Sequence, residues 1–120
     1  MKAKWLCLSA AMFFVRCGDD RVACLTYATA GLSVSVTNAA AGQPLCDAVV
    51  TATEGGYSER LYENACTFSG AYERPGTYVL RVTRQGFHPN ELAAVHVVMG
   101  GGECPHVQPT RVTILLTPID

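Results

Sequence analysis

From Gly31 onward, apolar and polar residues alternate in short runs separated by turn residues. Leu32, Val34 and Val36 alternate with Ser33, Ser35 and Thr37, the period of two that marks a strand with one wet face. Asn38 to Pro44 is a loop of small residues with Gly42 and Pro44 as breakers. Ala48, Val50 and Ala52 face one way in the next strand, and Val49, Thr51 and Thr53 the other. Gly55-Gly56 follows Glu54 and reads as a hairpin turn, because glycine supplies the positive φ that tight hairpins need. Tyr57 to Glu63 reads as the returning strand. Cys66 to Glu73 reads as another, with Phe68 and Tyr72 on one face. Arg74-Pro75-Gly76-Thr77 has the residue order of a type II turn, proline second and glycine third. Tyr78, Leu80 and Val82 then alternate with Val79, Arg81 and Thr83, and Gln85-Gly86 ends that run. Ala94 to Val98 is a short apolar strand before Gly100-Gly101-Gly102, and Val112, Ile114 and Leu116 form the last strand, closed by Pro118. About seven short strands, with turn signals roughly every 8–12 residues, predict an all-β sandwich or barrel. The alternating sets predict a core of Leu32, Val34, Val36, Tyr78, Leu80, Val82, Val112, Ile114 and Leu116.

The first thirty residues follow another pattern. Met1-Lys2-Ala3-Lys4 is a basic start, and Leu6 to Val15 is an uncharged apolar run of ten residues. Such a run matches the apolar region of a secretory signal and falls short of the ~20 residues of a membrane span. Arg16-Cys17-Gly18-Asp19-Asp20 then turns polar. A cysteine at that junction resembles the lipid-modified cysteine of bacterial lipoproteins, with Arg16 standing where that pattern carries a small residue. The organisation expected is a signal peptide at 1–16, a linker or tether at 17–30, a β-sandwich at 31–117 and a tail at 118–120, with Cys17 as the lipidation site. The location expected is extracytoplasmic, in a bacterial cell envelope, membrane-anchored or secreted. Cleavage before Cys17 leaves 104 residues with six Arg against ten Asp and Glu, a net charge of −4. That balance argues against nucleic acid as a partner, which calls for clustered cations. Contact with a membrane is expected only through the N-terminal lipid or signal anchor.

Gly42-Gln43-Pro44-Leu45 with Ala48-Val49-Val50-Thr51-Ala52 resembles the opening of the carboxypeptidase regulatory-like domain. Gly70-Ala71-Tyr72 through Thr77-Tyr78-Val79-Leu80-Arg81-Val82, followed by Gly86-Phe87, is similar to the later signature of that family. The resemblance covers about Gly31 to Thr117 and implies a prealbumin-like (transthyretin-like) β-sandwich. It also implies a non-catalytic module of a secreted or surface protein. Fold alone does not assign function.

Cys24, Cys46, Cys66 and Cys104 remain after Cys7 and Cys17 are set aside, an even number in a chain with an export signal. The hairpin at Gly55-Gly56, carried along both strands, puts Cys46 opposite Ala65 and beside Cys66. The transthyretin-like resemblance implies first and last strands paired in parallel, which places Cys24 near Cys104. Bonds Cys46–Cys66 and Cys24–Cys104 are therefore expected, each contributing on the order of 3–4 kcal/mol. The other readings are free buried thiols and a zinc site, and no C-x-x-C pair supports the latter.

Catalytic signals are sparse. His88, His96 and His106 would have to converge with carboxylates such as Glu91 or Glu103 to hold a metal. His96, between Val95 and Val97, reads instead as the solvent-facing residue of a strand. No G-x-S-x-G occurs. The related fold of 5-hydroxyisourate hydrolase carries a Tyr-Arg-Gly-Ser C-terminus, whereas this chain ends Leu116-Thr117-Pro118-Ile119-Asp120. Glu59, Arg60, Glu63, Glu73 and Arg74 form a charged cluster that reads either as a binding rim or as a solvated face. Tyr57, Tyr62, Tyr72 and Phe87 could stack on a sugar or peptide, or close the sandwich ends. The function expected is an exported, non-catalytic, monomeric structural or binding module with no cofactor and an unknown protein or carbohydrate partner. The alternatives are a small-ligand-binding or hydrolytic transthyretin-like protein, and an accessory subunit docking on a larger extracytoplasmic enzyme.

Overall fold

The computed structural model describes Cys24 and residues 27–120. The expected signal segment, Cys17 and most of the expected tether lie outside the described residues. Nine strands run in the order β1 (Leu32–Asn38), β2 (Val49–Glu54), β3 (Tyr57–Arg60), β4 (Tyr62–Asn64), β5 (Thr67–Gly70), β6 (Gly76–Thr83), β7 (Asn90–Met99), β8 (Val107–Gln108) and β9 (Thr110–Leu116). They form a four-stranded sheet, β4-β5-β1-β9, and a five-stranded sheet, β3-β2-β6-β7-β8. Among the described residues there is no helix. The described residues are therefore all-β in two sheets, with nine strands where about seven were expected.

The extra strands have a physical origin. The β2–β3 hairpin pairs Glu54 with Tyr57 and keeps that register to Thr51 and Arg60. Leu61 then turns inward, 4% exposed, and its N–H donates to the Val50 carbonyl at 2.8 Å. Beyond it the chain leaves for the other sheet, where Tyr62, Glu63 and Asn64 pair with Ser69, Phe68 and Thr67. One expected strand, Tyr57 to Glu63, is thus two strands in two sheets, split where a leucine is worth more buried than in register. The expected strand Cys66 to Glu73 shrinks to β5, because Ala71 and Glu73 take positive φ (52° and 49°) in the turn that follows. The expected strand Ala94 to Val98 extends to ten residues. Its register against β6 shifts between Tyr78 and Leu80, and Ala94 has φ 58°. That β-bulge breaks the period of two and hides the strand from pattern reading.

The turns divide in the same way. Gly55 has φ 57° and Gly56 has no positive φ, so the first loop position alone takes the left-handed region, as type II′ hairpins require. The β4–β5 loop, Ala65-Cys66, has positive φ at both residues (52° and 66°). That is the requirement of a type I′ turn, met here by two non-glycine residues. The expected type II turn at Arg74–Thr77 is absent. Gly76 has no positive φ and opens β6. Its lack of a side chain serves close approach instead: a Cβ there would sit 2.5 Å from Glu54 Oε2.

Both sheets feed one core. Leu32, Val34, Val36, Phe68, Ile114 and Leu116 come from the four-stranded sheet, and Val50, Ala52, Tyr78, Leu80, Val82, Val95 and Val97 from the other. Eight of the nine expected core residues are buried; Val112 is partly buried against the cluster, because β9 is an edge strand. β1 and β9 run parallel from Leu32 opposite Thr110 to Asn38 opposite Leu116. The expected tail is paired rather than free: Pro118 bridges Phe87, and the Ile119 N–H donates to the Gly86 carbonyl at 2.9 Å.

Candidate functional site

The turn between β5 and β6 and the loop ahead of β8 bring several titratable side chains together. Glu73 sits in the β5–β6 turn, and its carboxylate accepts from the N–H groups of Thr29 (2.8 Å) and Val107 (3.1 Å) and from His106 Nδ1. The Glu73 N–H donates in turn to the Thr29 carbonyl at 3.0 Å. The His106 imidazole and the two amides hold the Glu73 carboxyl down at about 2. The Tyr27 ring stacks on His106 with centroids 4.9 Å apart. Thr29, expected in the linker, is thereby clasped to the domain. Close by, Cys24 is bonded to Cys104, with Cα atoms 5.4 Å apart, within the span that a disulfide allows.

Arg74, one residue on, points into a second network. Its Nη1 donates to Glu54 Oε1 (2.8 Å) and to the Tyr78 hydroxyl (2.9 Å). Its guanidinium lies 3.6 Å from the Tyr57 ring centroid, a cation–π geometry. The Thr77 amide and then Arg74 hold the Glu54 carboxyl below the usual carboxylate range. The Tyr57 hydroxyl donates to Glu59 Oε1 at 2.7 Å, and that carboxylate raises the Tyr57 pKa. Glu59 Oε1 also takes the Ala71 N–H at 3.0 Å. A Cβ on Gly70 would sit 2.7 Å from the other Glu59 oxygen, so a glycine is what lets this carboxylate close over β5. The charges expected as one cluster are therefore dispersed. Glu54, Glu59 and Glu73 tie backbone amides of the loops and of the first residues of β6 and β8, while Glu63 accepts the Cys66 N–H at 2.9 Å.

His96 is exposed on β7 with Nδ1 3.0 Å from Thr77 Oγ1, and His88 is exposed in the loop after β6. His106 meets Glu73 rather than Glu103. Among the described residues no three His, Cys, Asp or Glu side chains come together as a metal site would need.

The expected aromatics separate too. Tyr57 and Phe87 pack against the core, whereas Tyr72 is 48% and Tyr62 is 70% exposed. Tyr62 borders an open groove of about 440 Å³ at the β3–β4 crossover, lined also by Ala48, Arg60, Leu61, Glu63 and Phe68. Cys46 and Cys66 are bonded across the same side of the molecule, Cα atoms 4.5 Å apart. The β2–β3 hairpin stops at Arg60, so the crossover, and not a continuous ladder, carries Cys66 to Cys46.

The outer faces of the two sheets differ in chemistry. In the four-stranded sheet, Tyr62, Ser69, Ser33 and Arg111 lie in one lateral row. Ser35 lies opposite Thr113, Thr37 opposite Leu115 and Asn64 opposite Thr67. These residues alternate with the buried Leu32, Val34, Val36, Phe68 and Ile114, so they share the outward face. In the five-stranded sheet the matching row is Arg60, Thr51, Arg81 and Glu91. No known protein family matches the chain, and no curated protein matches it either.

Proposed function

We propose that this chain is an exported, non-catalytic β-sandwich module of the carboxypeptidase regulatory-like, prealbumin-like type. In this reading Cys17 tethers it to a bacterial membrane, and the domain presents a surface to a protein or carbohydrate partner. One observation carries the reading: a disulfide stands where the N-terminal segment enters the domain. Cys24–Cys104 joins that segment to the loop ahead of β8 and β9, and the parallel pairing of β1 with β9 continues the same junction. A pull on the tether would pass through a covalent bond into the loop ahead of β8 rather than fall on β1, which lies between β5 and β9. Two disulfides among the described residues suit an oxidising compartment. The parallel first-and-last pairing supports the prealbumin-like architecture. The Glu54 and Glu73 carboxylates are committed to backbone amides, to Arg74 and to His106, which supports a scaffold role for them rather than proton transfer.

The test is fractionation of bacteria expressing the full chain, with thiol trapping. The expected result is a membrane-bound protein with all four domain cysteines oxidised, released to the soluble envelope fraction by Cys17→Ser. A cytoplasmic protein with reduced thiols overturns the reading.

A further inference from the structure

The four-stranded sheet turns outward a surface of unusual composition for an acidic domain. Ser33, Ser35 and Thr37 from β1, Thr67 and Ser69 from β5, and Thr113 from β9 give it hydroxyl groups at successive strands. Tyr62, 70% exposed, stands at one edge, and Arg111 stands at the other. Among the described residues the one carboxylate in a strand of this sheet is Glu63, which alternates with Tyr62 and Asn64, pairs with the buried Phe68 and accepts the Cys66 N–H; the others sit in the loops, in the tail or on the opposite sheet.

We propose that this face binds a neutral polysaccharide chain laid across the strands from Tyr62 to Arg111. The proposal rests on the binding-module reading above and names its ligand class. Charge selects the occupant. A nucleic acid or anionic membrane would need several cations, and this face has one. A charged protein surface would lose ion hydration here without gaining a counter-charge. A neutral polyhydroxyl chain exchanges hydrogen bonds with hydroxyls, so no ion is stripped of water. The Tyr62 ring offers its apolar face to the C–H face of a sugar ring, and Arg111 donates to hydroxyl oxygens at the far end. Geometry agrees. Strands lie about 4.8 Å apart, so the row Tyr62–Ser69–Ser33–Arg111 spans about 14 Å, the length of a few sugar units in an extended chain. An extended peptide added at the edges of this sheet is less well served. β4 has three residues, and short edges blunt strand addition. The β9 edge is engaged by β7, through Asn90 Nδ2 donating to the Leu115 carbonyl at 3.0 Å and Thr110 Oγ1 donating to the His96 carbonyl at 2.7 Å.

The test is affinity electrophoresis of the full-length chain through native gels containing mixed-linkage β-glucan, xyloglucan, galactomannan or dextran. Retardation in at least one gel is expected. Tyr62→Ala should weaken it about tenfold, as loss of a stacked aromatic contact would. Ser69→Ala and Arg111→Gln should weaken it by smaller factors, and Arg81→Gln on the opposite sheet should leave it unchanged. Salt at about 0.5 M should also leave it unchanged, because no ion pair is made. Migration unaffected by all four polymers overturns the proposal, as does retardation that survives Tyr62→Ala or disappears in salt. An oxidised, membrane-held protein that no polymer retards refutes the polysaccharide and keeps the module, whereas a reduced cytoplasmic protein refutes the module itself.

Discussion

The two sheets reach the same core by opposite routes. The five-stranded sheet is the more local: β2 pairs with β3, β6 with β7 and β7 with β8, and β2–β6 is its one longer-range pairing, all antiparallel. The four-stranded sheet joins one local hairpin, β4–β5, to distant pieces, with β1 beside β5 on one side and parallel to β9 on the other. Non-local pairing costs more loop-closure entropy before any contact rewards it. Both disulfides flank that costlier sheet. Cys24–Cys104 closes 80 residues ahead of β1 and β9, and Cys46–Cys66 closes 20 residues from the β1–β2 link to the β4–β5 turn. The outer faces differ as well. The local sheet carries Arg60, the Arg81–Glu91 pair at 3.2 Å and His96, whereas the stapled sheet carries hydroxyls. Covalent bonds supply order where strand pairing alone is expensive, and among the described residues the outer face of the stapled sheet carries no ion pair.

Removing the long staple is the strongest way to break this contrast. Cys24→Ser with Cys104→Ser should lower stability by about 4.5 kcal/mol, and Cys46→Ser with Cys66→Ser by about 3 kcal/mol, as the loop lengths imply. Denaturant unfolding measures both. Native-state hydrogen exchange should rise first in β1, β5 and β9, and an equal rise in β2, β6 and β7 would erase the distinction between the sheets. Within the core, by contrast, the sheets should behave alike. Leu32→Ala and Leu80→Ala each truncate a side chain at 0% exposure and should each cost about 3 kcal/mol. A loss below about 1 kcal/mol at either would mean that its side of the core is loosely packed.

Acid should act on the clasp between the sheets rather than on either face. Glu73 is held at about 2 against an ordinary 4.5, so its folded pKa lies below its unfolded one. The stability it contributes is complete above 4.5 and drains away as pH falls toward 2. Thermal midpoints should therefore fall more steeply across that window in the native chain than in Glu73→Gln. Parallel curves would remove the clasp from the account. The smallest effect belongs to the exposed pair on the local sheet. Arg81→Ala should cost under about 1 kcal/mol and less in high salt, while Thr113→Ala on the hydroxyl face should show no salt dependence.

Much of the fold was legible because alternation reports directly on which side of a strand is buried. β1, β6 and β9 could be read in that way, and the Gly55-Gly56 hairpin set the register of β2 and β3. The pieces that were missed share one cause: a local signal overruled by a distant partner. Leu61 left its ladder to fill the core, and Ala94 accepted positive φ so that β7 could shift register. Ala65-Cys66 formed a turn with neither Asn nor Gly, held by a bond to Cys46. Arg74-Pro75-Gly76-Thr77 had the residues of a turn, but Gly76 was needed flat beneath the Glu54 carboxylate.

The candidate surface divides along the same line. Ser33, Ser35 and Thr37 announce a polar strand face on their own, because side-chain alternation is a property of any single strand. Whether that face is continued by Ser69 on one side and Arg111 on the other depends on strand order, and strand order is decided by contacts between residues far apart in the chain. The sequence by itself determined the strand class and most of the core, since each follows from spacing within one strand; it named the Cys46–Cys66 pair from a ladder that in the structure stops at Arg60. Only the tertiary structure decided the crossover at Leu61, the clasp of Glu73 on Thr29, Val107 and His106, and the row from Tyr62 to Arg111. Each of these requires two or more segments to meet, and the free energy that brings them together comes from burying the shared core.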